Sequence, residues 1–405
     1  MATGRAAADA GVTARPARAN RRRIMARPHI LHLHSSFSPG GKEWRAVKLM
    51  NAFGDTARHT IVSGVPGALD ARDAIAKGVT YEIAQDPPPL TGRPSVARFE
   101  AIARYTARFD LVLTYNWGAI DGVMAKRAFP KGLPPLVHHE DGFNADEATG
   151  LKIERNLYRR IALPAAHALA VPSQALEAIA LRVWKQPPAK VHRIVNGIAT
   201  ALYAGKPDPK AIPGFVRKDG EVVIGALAGL REVKDLPALV RACGGVSGKF
   251  RLVIVGEGPE RANIQQAAAA MGIADRLVLP GFLRDPHRYI GLFDILAISS
   301  RSEQFPVSVV EAMAAGLPIA SMPVGDVARM VAPENVPFVA HYTGEVALRD
   351  MIQALMRDPA LRHEVGQANR AKAAAEFDEA TMVTRYKALY ADALDRTGAS
   401  AGIFG

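Results

Sequence analysis

Two spacings of hydrophobic and polar positions alternate along the chain. Short segments rich in aliphatic residues, such as 111–115 and 250–255, have the length and composition of buried strands. Longer segments between them, such as 43–53 and 97–108, carry apolar residues at helical spacing. This repeated strand–helix order predicts an α/β fold with mainly parallel sheets that are covered by helices on both faces.

The strand–helix pattern occurs twice, and a turn-rich segment separates the two copies. We predict a first Rossmann-like domain at 28–205, a linker at 206–220 and a second Rossmann-like domain at 221–375. Residues 376–395 follow as an amphipathic helix. Two such sheets in tandem leave a cleft at the carboxyl ends of their strands, where open α/β folds bind ligands.

Charge is distributed unevenly along the chain. Its 51 Lys and Arg and 39 Asp and Glu give a net charge of +12, and residues 1–205 hold 28 of those bases but only 16 of the acids. Residues 1–27 contain little to bury and predict a disordered basic tail. The remaining surplus makes an anionic membrane surface a possible partner of the first domain. The bases expected there are Arg93, Arg98, Arg104, Arg108, Lys126, Arg127, Arg155, Arg159 and Arg160.

Composition excludes several other classes of protein. No apolar run approaches the roughly 20 residues that a membrane-spanning helix needs. The single cysteine, Cys243, excludes a disulfide scaffold and fits a cytoplasmic protein. We expect no nucleic-acid partner, because no basic stretch is interleaved with aromatic residues.

The strongest chemical motif lies at 302–318. Glu303 follows a predicted strand, and Glu311 lies inside the next helix. The free backbone amides that begin this helix suit a phosphate, while the two carboxylates could accept hydrogen bonds from sugar hydroxyls. The candidate ligand contacts in this loop, besides the two glutamates, are Gln304, Phe305, Val307 and Ser308.

Two further loops of the second domain carry candidate residues. Arg231 and Lys234 follow the strand that opens the domain, and two cations there could clamp a diphosphate. Gly256 and Gly258 follow the next strand, but the third glycine of a dinucleotide-binding fingerprint is missing.

Polar groups also end two strands of the first domain. Gly40 and Gly41 follow the first strand, where glycine allows close approach to a phosphate or simply makes a tight turn. His138, His139, Glu140 and Asp141 lie at a later strand end. Neighbouring side chains on a strand point to opposite faces, so the two histidines cannot easily share a metal ion.

With these motifs the chain resembles glycosyltransferase family 4. Two glutamates separated by seven residues, followed by Ala-Met-Ala-x-Gly-x-Pro, are the signature of that family, and the resemblance extends from about residue 29 to residue 390. It implies the GT-B fold: two Rossmann-like domains facing across a cleft, with the final helix crossing back to the first domain. It also implies a retaining enzyme that uses a nucleotide-diphosphate sugar and needs no metal or other cofactor.

The resemblance implies a role for each candidate residue. Glu303 would contact the donor sugar, Glu311 the ribose, and Lys234 the diphosphate, with Arg231 displaced by two residues from the usual arginine position. The Gly-Gly pair would face the donor phosphate, and Gly256 and Gly258 would line the nucleotide pocket. His138 would face the donor sugar across the cleft. This leaves His139, Glu140 and Asp141 as candidates for acceptor contact.

The expected reaction is therefore transfer of a sugar from a nucleotide-diphosphate sugar to a glycan or lipid-linked acceptor, in cell-surface polysaccharide or glycolipid synthesis. We expect it in the cytoplasm or on the cytoplasmic face of the inner membrane. Two alternatives remain open at this point: a sugar-nucleotide epimerase or phosphorylase of the same fold, and a non-catalytic sugar-binding module.

Overall fold

The computed structural model describes residues 27–90, 92–143, 147 and 150–395. The first domain is built on seven parallel strands in the order β3-β2-β1-β4-β5-β6-β7. The strands are β1 (His29–His34), β2 (Arg58–Ser63), β3 (Thr80–Ile83), β4 (Leu111–Tyr115), β5 (Leu136–His139), β6 (Ala168–Val171) and β7 (Val191–Arg193).

Helices cover both faces of this first sheet, which explains why its central strands are buried throughout. The side chain of Ser95 caps α2 by accepting from the Arg98 N–H at 3.2 Å, and Ser173 caps α5 by accepting from the Leu176 N–H at 3.1 Å. The helices are α1 (Gly41–Phe53), α2 (Val96–Thr106), α3 (Ile120–Ala128), α4 (Ile153–Ala162) and α5 (Gln174–Arg182).

The second domain repeats the arrangement with five parallel strands in the order β10-β9-β8-β11-β12. These strands are β8 (Val222–Leu227), β9 (Phe250–Val255), β10 (Leu277–Gly281), β11 (Ile295–Ile298) and β12 (Ile319–Ser321). The helices of the domain are α6 (Leu236–Gly244), α7 (Arg261–Ala270), α8 (Val307–Ala314), α9 (Val327–Met330), α10 (Glu345–Arg357) and α11 (Pro359–Glu376).

The last helix, α12 (Glu379–Asp395), returns to the first domain. The Ile198 N–H donates to the Phe377 carbonyl at 3.0 Å, and the Glu379 N–H donates to the Ile198 carbonyl at 2.9 Å. Met382, Tyr386 and Tyr390 then pack into the core of the first sheet. These features confirm the predicted fold class, two parallel-sheet α/β domains with a C-terminal helix crossing back.

The segment predicted as a linker is packed against the second domain. Residues 206–220 contain no helix or strand, but Ile212 and Phe215 are buried in the core of that domain. Of the predicted basic tail, only Arg27 lies within the described residues, where it pairs with Asp55 at 3.0 Å. The domain boundaries proposed above remain predictions.

The helices of the described residues include none that is both long enough and apolar enough to cross a membrane.

Candidate active site at the interdomain cleft

The loop between β11 and α8 brings Glu303 onto Lys234. The Lys234 Nζ donates to the Glu303 Oε1 at 2.5 Å, and the Ser300 hydroxyl donates to the same oxygen at 2.7 Å. The two charged residues come from loops that follow different strands, β8 and β11, which are neighbours in the sheet. The two residues therefore form a charged centre at the carboxyl ends of β8 and β11, where open α/β sheets bind ligands.

Gly256 and Gly258 lie behind the loop that carries Lys234. A Cβ at Gly256 would lie 1.8 Å from the Ala228 carbonyl oxygen, and a Cβ at Gly258 would lie 2.4 Å from that of Leu230. Both glycines also have positive φ angles, of +149° and +154°. Their demonstrable effect is thus to let two loops touch, whereas contact with a nucleotide remains a prediction for them.

Arg231 differs from Lys234 in its surroundings. Its side chain is exposed, and it forms no ion pair with any residue that the structure describes. Its guanidinium lies beside Gly229, since a Cβ there would be 3.4 Å from the Arg231 Nε. An exposed cation next to the charged centre could reach an anionic ligand, but the structure does not bring it together with Glu303 as it does Lys234.

The N-terminus of α8 opens beside this charged centre. Pro306 is its N-cap residue and supplies no side-chain hydrogen bond, so the backbone amides of Val307 and Ser308 have no cap. Ser308, Lys234 and Glu303 line one small cleft. The amides and the positive end of the helix dipole suit a phosphate group in that cleft.

Phe305 has a different place from the rest of this loop. Its ring is buried in the second core and packs edge-on against Phe377 at a centroid distance of 5.7 Å. The predicted ligand contact of Phe305 is therefore wrong for its side chain. An aromatic residue at this position anchors the loop because its apolar area is removed from water.

Glu311 lies one turn into α8, where the carboxylate is shielded from water. The Tyr203 hydroxyl donates to its Oε1 at 3.1 Å. Burial raises the pKa of Glu311 from 4.5 to about 7, an effect that the Tyr203 hydrogen bond partly offsets. Tyr203 belongs to a short turn at Thr200–Ala204, and no motif in the sequence marks it.

The first domain reaches the loop between β11 and α8 of the second domain at Gly142. A Cβ at that residue would lie 3.1 Å from the Gln304 Cγ, and the φ angle of Gly142 is +151°. The Gln304 Oε1 is buried without a hydrogen-bond partner in the described part of the chain. Gln304 thus lies between the two domains with an unused acceptor, which suits its predicted role as a ligand contact.

His138 does not reach this cleft, which corrects the prediction that it faces the donor sugar. The side chain is wholly buried, with its Nδ1 2.8 Å from the Thr114 hydroxyl and its Nε2 3.5 Å from the Glu140 carboxylate. The reason is that His138 lies within β5, and helices cover both faces of that strand. The residue at the cleft edge comes four positions later, at Gly142.

Two of the three acceptor candidates are also framework residues. His139 is wholly buried, with its Nε2 2.7 Å from the Tyr390 hydroxyl of α12 and its Nδ1 3.1 Å from the Thr114 carbonyl. Burial lowers the pKa of His139 well below 6.5, which keeps the ring neutral. Glu140 is wholly buried and pairs with Arg159 at 3.0 Å. Neither side chain is open to an acceptor, so both predictions are corrected.

Asp141 lies at the edge of the cleft and is partly exposed. Both of its carboxylate oxygens accept from Arg45, one of them at 2.8 Å, and its N–H donates to the Asn116 side chain at 2.7 Å. Arg45 also donates to Asn196 at 3.1 Å. This arginine of α1 therefore fixes the strand end, although nothing in the local sequence indicated that role.

Gly40 and Gly41 begin α1 on the first-domain side. A Cβ at Gly40 would lie 2.7 Å from the Glu43 Oε2, whereas a Cβ at Gly41 would meet open space. Glu43 pairs with Lys42, and burial raises the pKa of the Glu43 carboxyl. A side chain at Gly40 would therefore displace the end of the Glu43 side chain, whereas one at Gly41 would displace nothing. The predicted approach of this loop to a donor phosphate stays a prediction.

Asp326 joins the two domains beside the loop between β11 and α8. Its carboxylate accepts from the N–H groups of Gln174 and Ala175, at 2.5 and 3.3 Å, and so sits at the N-terminus of α5. The preceding residue, Gly325, packs so closely that a Cβ there would lie 2.6 Å from the Glu303 carbonyl oxygen. No local motif indicates this contact, because the partners are about 150 residues apart.

The described residues include no cluster of three or more His, Cys, Asp or Glu side chains that could hold a metal ion.

Comparison with known families matches both halves of the chain. Residues 39–202 match the family described as Glycosyltransferase Family 4, and residues 209–372 match the family described as Glycosyl transferases group 1. The matched ranges together contain every named strand of both domains except β1.

Curated relatives are similar over part of their length. N-acetyl-alpha-D-glucosaminyl L-malate synthase of Bacillus anthracis is 22% identical over 53% of this chain and 57% of its own length. The 2-deoxystreptamine glucosyltransferase of Streptomyces kanamyceticus is 32% identical over 35% of this chain and 38% of its own length. The chain thus spans about half the length, or less, of the curated relatives it matches.

Among solved structures, HepE of Anabaena shares the fold over nearly the whole chain. Its complex with UDP has a TM-score of 0.73 at 20% identity, covering 90% of this chain and 100% of that one. The same protein was also solved with UDP-glucose.

Proposed function

The chain belongs to glycosyltransferase family 4, and on that premise we propose that it is a retaining glycosyltransferase. The donor is a nucleotide-diphosphate sugar, and the acceptor is a glycan or a lipid-linked glycan in polysaccharide or glycolipid synthesis. The observation that carries the proposal is the pairing of Lys234 with Glu303 beside the uncapped N-terminus of α8.

The chemistry of the second domain supports a diphosphate at that position. Negative charge grows on the diphosphate as its bond to the sugar breaks, so a fixed cation and fixed amide dipoles stabilise the transition state more than the ground state. Lys234 supplies the cation, and the amides of Val307 and Ser308 supply the dipoles. Binding of the diphosphate draws Lys234 away from Glu303 and frees the carboxylate for a sugar hydroxyl.

Glu311 lies further along the same helix and suits the ribose. An ionised carboxylate can accept hydrogen bonds from two neighbouring hydroxyl groups, and each charge-assisted bond contributes about 1.5–3 kcal/mol. Tyr203 holds one oxygen of Glu311 and leaves the other free to accept. That HepE of Anabaena was solved with UDP and with UDP-glucose supports a nucleotide sugar as the donor.

Retention of the sugar configuration is part of the proposal. The acceptor would attack on the face from which the diphosphate departs, and the diphosphate would take the proton of the acceptor hydroxyl. The charged centre supplies the electrostatic stabilisation for this step without a metal ion. The reaction would take place in the cytoplasm, where nucleotide sugars are the donors.

A panel of nucleotide-diphosphate sugars tests the proposal. The melting temperature of the full chain should rise with one donor class, since a ligand that binds only the folded state stabilises it by mass action. That donor should then be turned over, with release of the nucleoside diphosphate. Proton NMR of the transferred sugar should show the anomeric configuration of the donor.

Other results would favour the alternatives. Inversion of the anomeric centre would exclude the retaining mechanism. Change of the sugar without transfer would identify an epimerase, and consumption of inorganic phosphate would identify a phosphorylase. Donor binding without any turnover, with a range of acceptors, would identify a binding module.

A further inference from the structure

Helix α4 (Ile153–Ala162) has its apolar and polar faces reversed. The side of a surface helix that faces the protein is normally apolar, and the side that faces water is normally polar. In α4 the inward face instead carries Arg159, which is wholly buried, together with Asn156 and Tyr158. The outward face carries Ile153, Leu157 and Ile161, whose exposed fractions are 83%, 55% and 48%.

Polar contacts fix the helix in this orientation. The Arg159 Nε donates to Glu140 at 3.0 Å, the Asn156 side chain accepts from the indole N–H of Trp184 at 2.9 Å, and the Tyr158 hydroxyl donates to Asp121. Rotation of α4 to bury its aliphatic residues would break all three contacts. It would also leave a buried carboxylate without its cation, which is costly.

The exposed aliphatic residues form one continuous stripe. Ile153, Leu157 and Ile161 are four residues apart, so their side chains lie on one face of the helix, one above the other. Single exposed apolar residues need no explanation, but a stripe of three large ones on one helix indicates a surface that contacts something apolar.

The side of the first domain that carries α4 has a surplus of exposed positive charge. Helix α3 packs against α4, and α2 packs against α3, so these three helices share one side of the first domain. Among the described residues from 92 to 165, two exposed side chains are acidic and six are basic. The exposed acids are Asp110 and Glu154, and the exposed bases are Arg93, Arg104, Arg108, Arg127, Lys131 and Arg160.

This set also corrects the basic surface expected from the sequence. Arg98 is buried against Asp121, and Arg159 is buried against Glu140, so neither can meet a partner. Lys126 donates to the carbonyls of Leu133 and Pro134. What remains is a surplus of exposed bases on the side of the first domain that carries the aliphatic stripe.

We propose that α4 docks in the plane of an anionic membrane surface. Ile153, Leu157 and Ile161 enter the boundary between headgroups and acyl chains, while Arg160 and the neighbouring bases contact the lipid phosphates. Amphipathic helices with an aliphatic face and flanking bases bind membranes in this way, and each base near an anionic surface strengthens binding. The inference goes beyond the proposed function, because docking requires no donor and no turnover.

Sedimentation with lipid vesicles tests the docking. The full chain should bind phosphatidylglycerol-containing vesicles at low salt, bind pure phosphatidylcholine vesicles much less, and bind more weakly at high salt. The double substitution Ile153→Ser with Leu157→Ser should lower the partition coefficient about tenfold or more, because both side chains lose their apolar contact. These residues are exposed, so the variant should keep the melting temperature of the wild type.

Two matched variants control for general effects. Val216→Ser and Val346→Ser remove exposed aliphatic residues from the second domain, where the exposed fractions are 74% and 55%, and should leave the partition coefficient unchanged. The double substitution Lys131→Gln with Arg160→Gln should lower the partition coefficient several-fold, at low salt only.

Three results would overturn the inference. The first is equal vesicle binding by the wild type and the Ile153→Ser, Leu157→Ser variant (the stripe variant), which would place the contact elsewhere. The second is a failure of the full chain to bind anionic vesicles at low salt. The third is a dimer in analytical ultracentrifugation that only the stripe variant loses, without vesicle binding, which would make a second copy of the chain the occupant of the stripe.

Discussion

Nucleotide affinity should depend on pH through Glu311. Burial raises the pKa of this carboxyl to about 7, so about one tenth of the population is ionised at pH 6 and about nine tenths at pH 8. Only the ionised carboxylate can accept from two ribose hydroxyls. Affinity for a nucleoside diphosphate should therefore rise about tenfold between pH 6 and pH 8 from this group alone.

Calorimetric titration of the wild type and of Glu311→Gln at pH 6, 7 and 8 measures this effect. The diphosphate itself gains a proton towards pH 6, and the variant supplies that background because its amide does not titrate. The ratio of the wild-type affinity to the Glu311→Gln affinity should grow about tenfold from pH 6 to pH 8. A ratio that stays constant with pH would refute the assignment of Glu311.

The ionised Glu311 carboxylate should also destabilise the folded protein. Its pKa is higher in the folded state than the unfolded value of 4.5, so the folded state holds the proton more tightly, and stability falls as pH rises from about 4.5 through 7. The shift corresponds to an upper limit of about 3 kcal/mol at pH 8. Glu311→Gln should therefore raise the melting temperature at pH 8 and hardly change it near pH 4.5. Glu364→Gln, at an exposed position of α11, is the control and should change neither.

Tyr203 provides an independent check of this reasoning. Its hydrogen bond lowers the pKa of Glu311, so Tyr203→Phe should raise that pKa and move the midpoint of the affinity profile to higher pH. A midpoint that moves to lower pH, or does not move, would show that the hydrogen bond is absent in solution.

Three further predictions concern the loops around the cleft. Lys234→Ala should lower turnover about 100-fold while the protein stays folded, because a fixed cation opposite the leaving group is lost; wild-type turnover would exclude that role. Gly256→Ala should lower the melting temperature far more than Gly272→Ala, since both have positive φ but only the first meets a carbonyl oxygen at 1.8 Å; equal melting temperatures would contradict the loop contact. Asp326→Ala should cost about 1 kcal/mol in the free energy of unfolding and increase amide exchange at the start of α5, and unchanged exchange there would argue against the interdomain cap.

Local sequence pattern was enough to predict the main strands and the chemical motif of the loop between β11 and α8. The segments 111–115 and 250–255, predicted as buried strands, form β4 and β9 with the same bounds. The positions of Lys234 and Glu303 after two strands of the second domain follow from the same local pattern. Their pairing does not, because β8 and β11 are neighbours in the sheet although β9 and β10 separate them in sequence.

Contacts between distant segments could not be predicted in the same way. His138 looked like a cleft residue because it is near a strand end, but the structure continues β5 past it and buries both faces. Arg159 looked like a surface base, yet Glu140 pairs with it from a neighbouring strand end. Whether a charged residue is buried depends on a partner elsewhere in the chain, and hydrophobic periodicity carries no information about that partner.

The central claim is that the second domain binds a nucleoside diphosphate at the carboxyl ends of β8 and β11, through Lys234 and the N-terminus of α8. Titration of UDP, GDP and ADP into the wild type and into Lys234→Ala tests it most directly. We predict that at least one of the three binds the wild type, and that Lys234→Ala weakens that binding by about 10-fold to 100-fold, as expected for loss of a charge-assisted contact. Lys218→Gln, at an exposed position outside the cleft, should bind like the wild type. The account would be contradicted if none of the three bound at millimolar concentration, or if Lys234→Ala bound as tightly as the wild type.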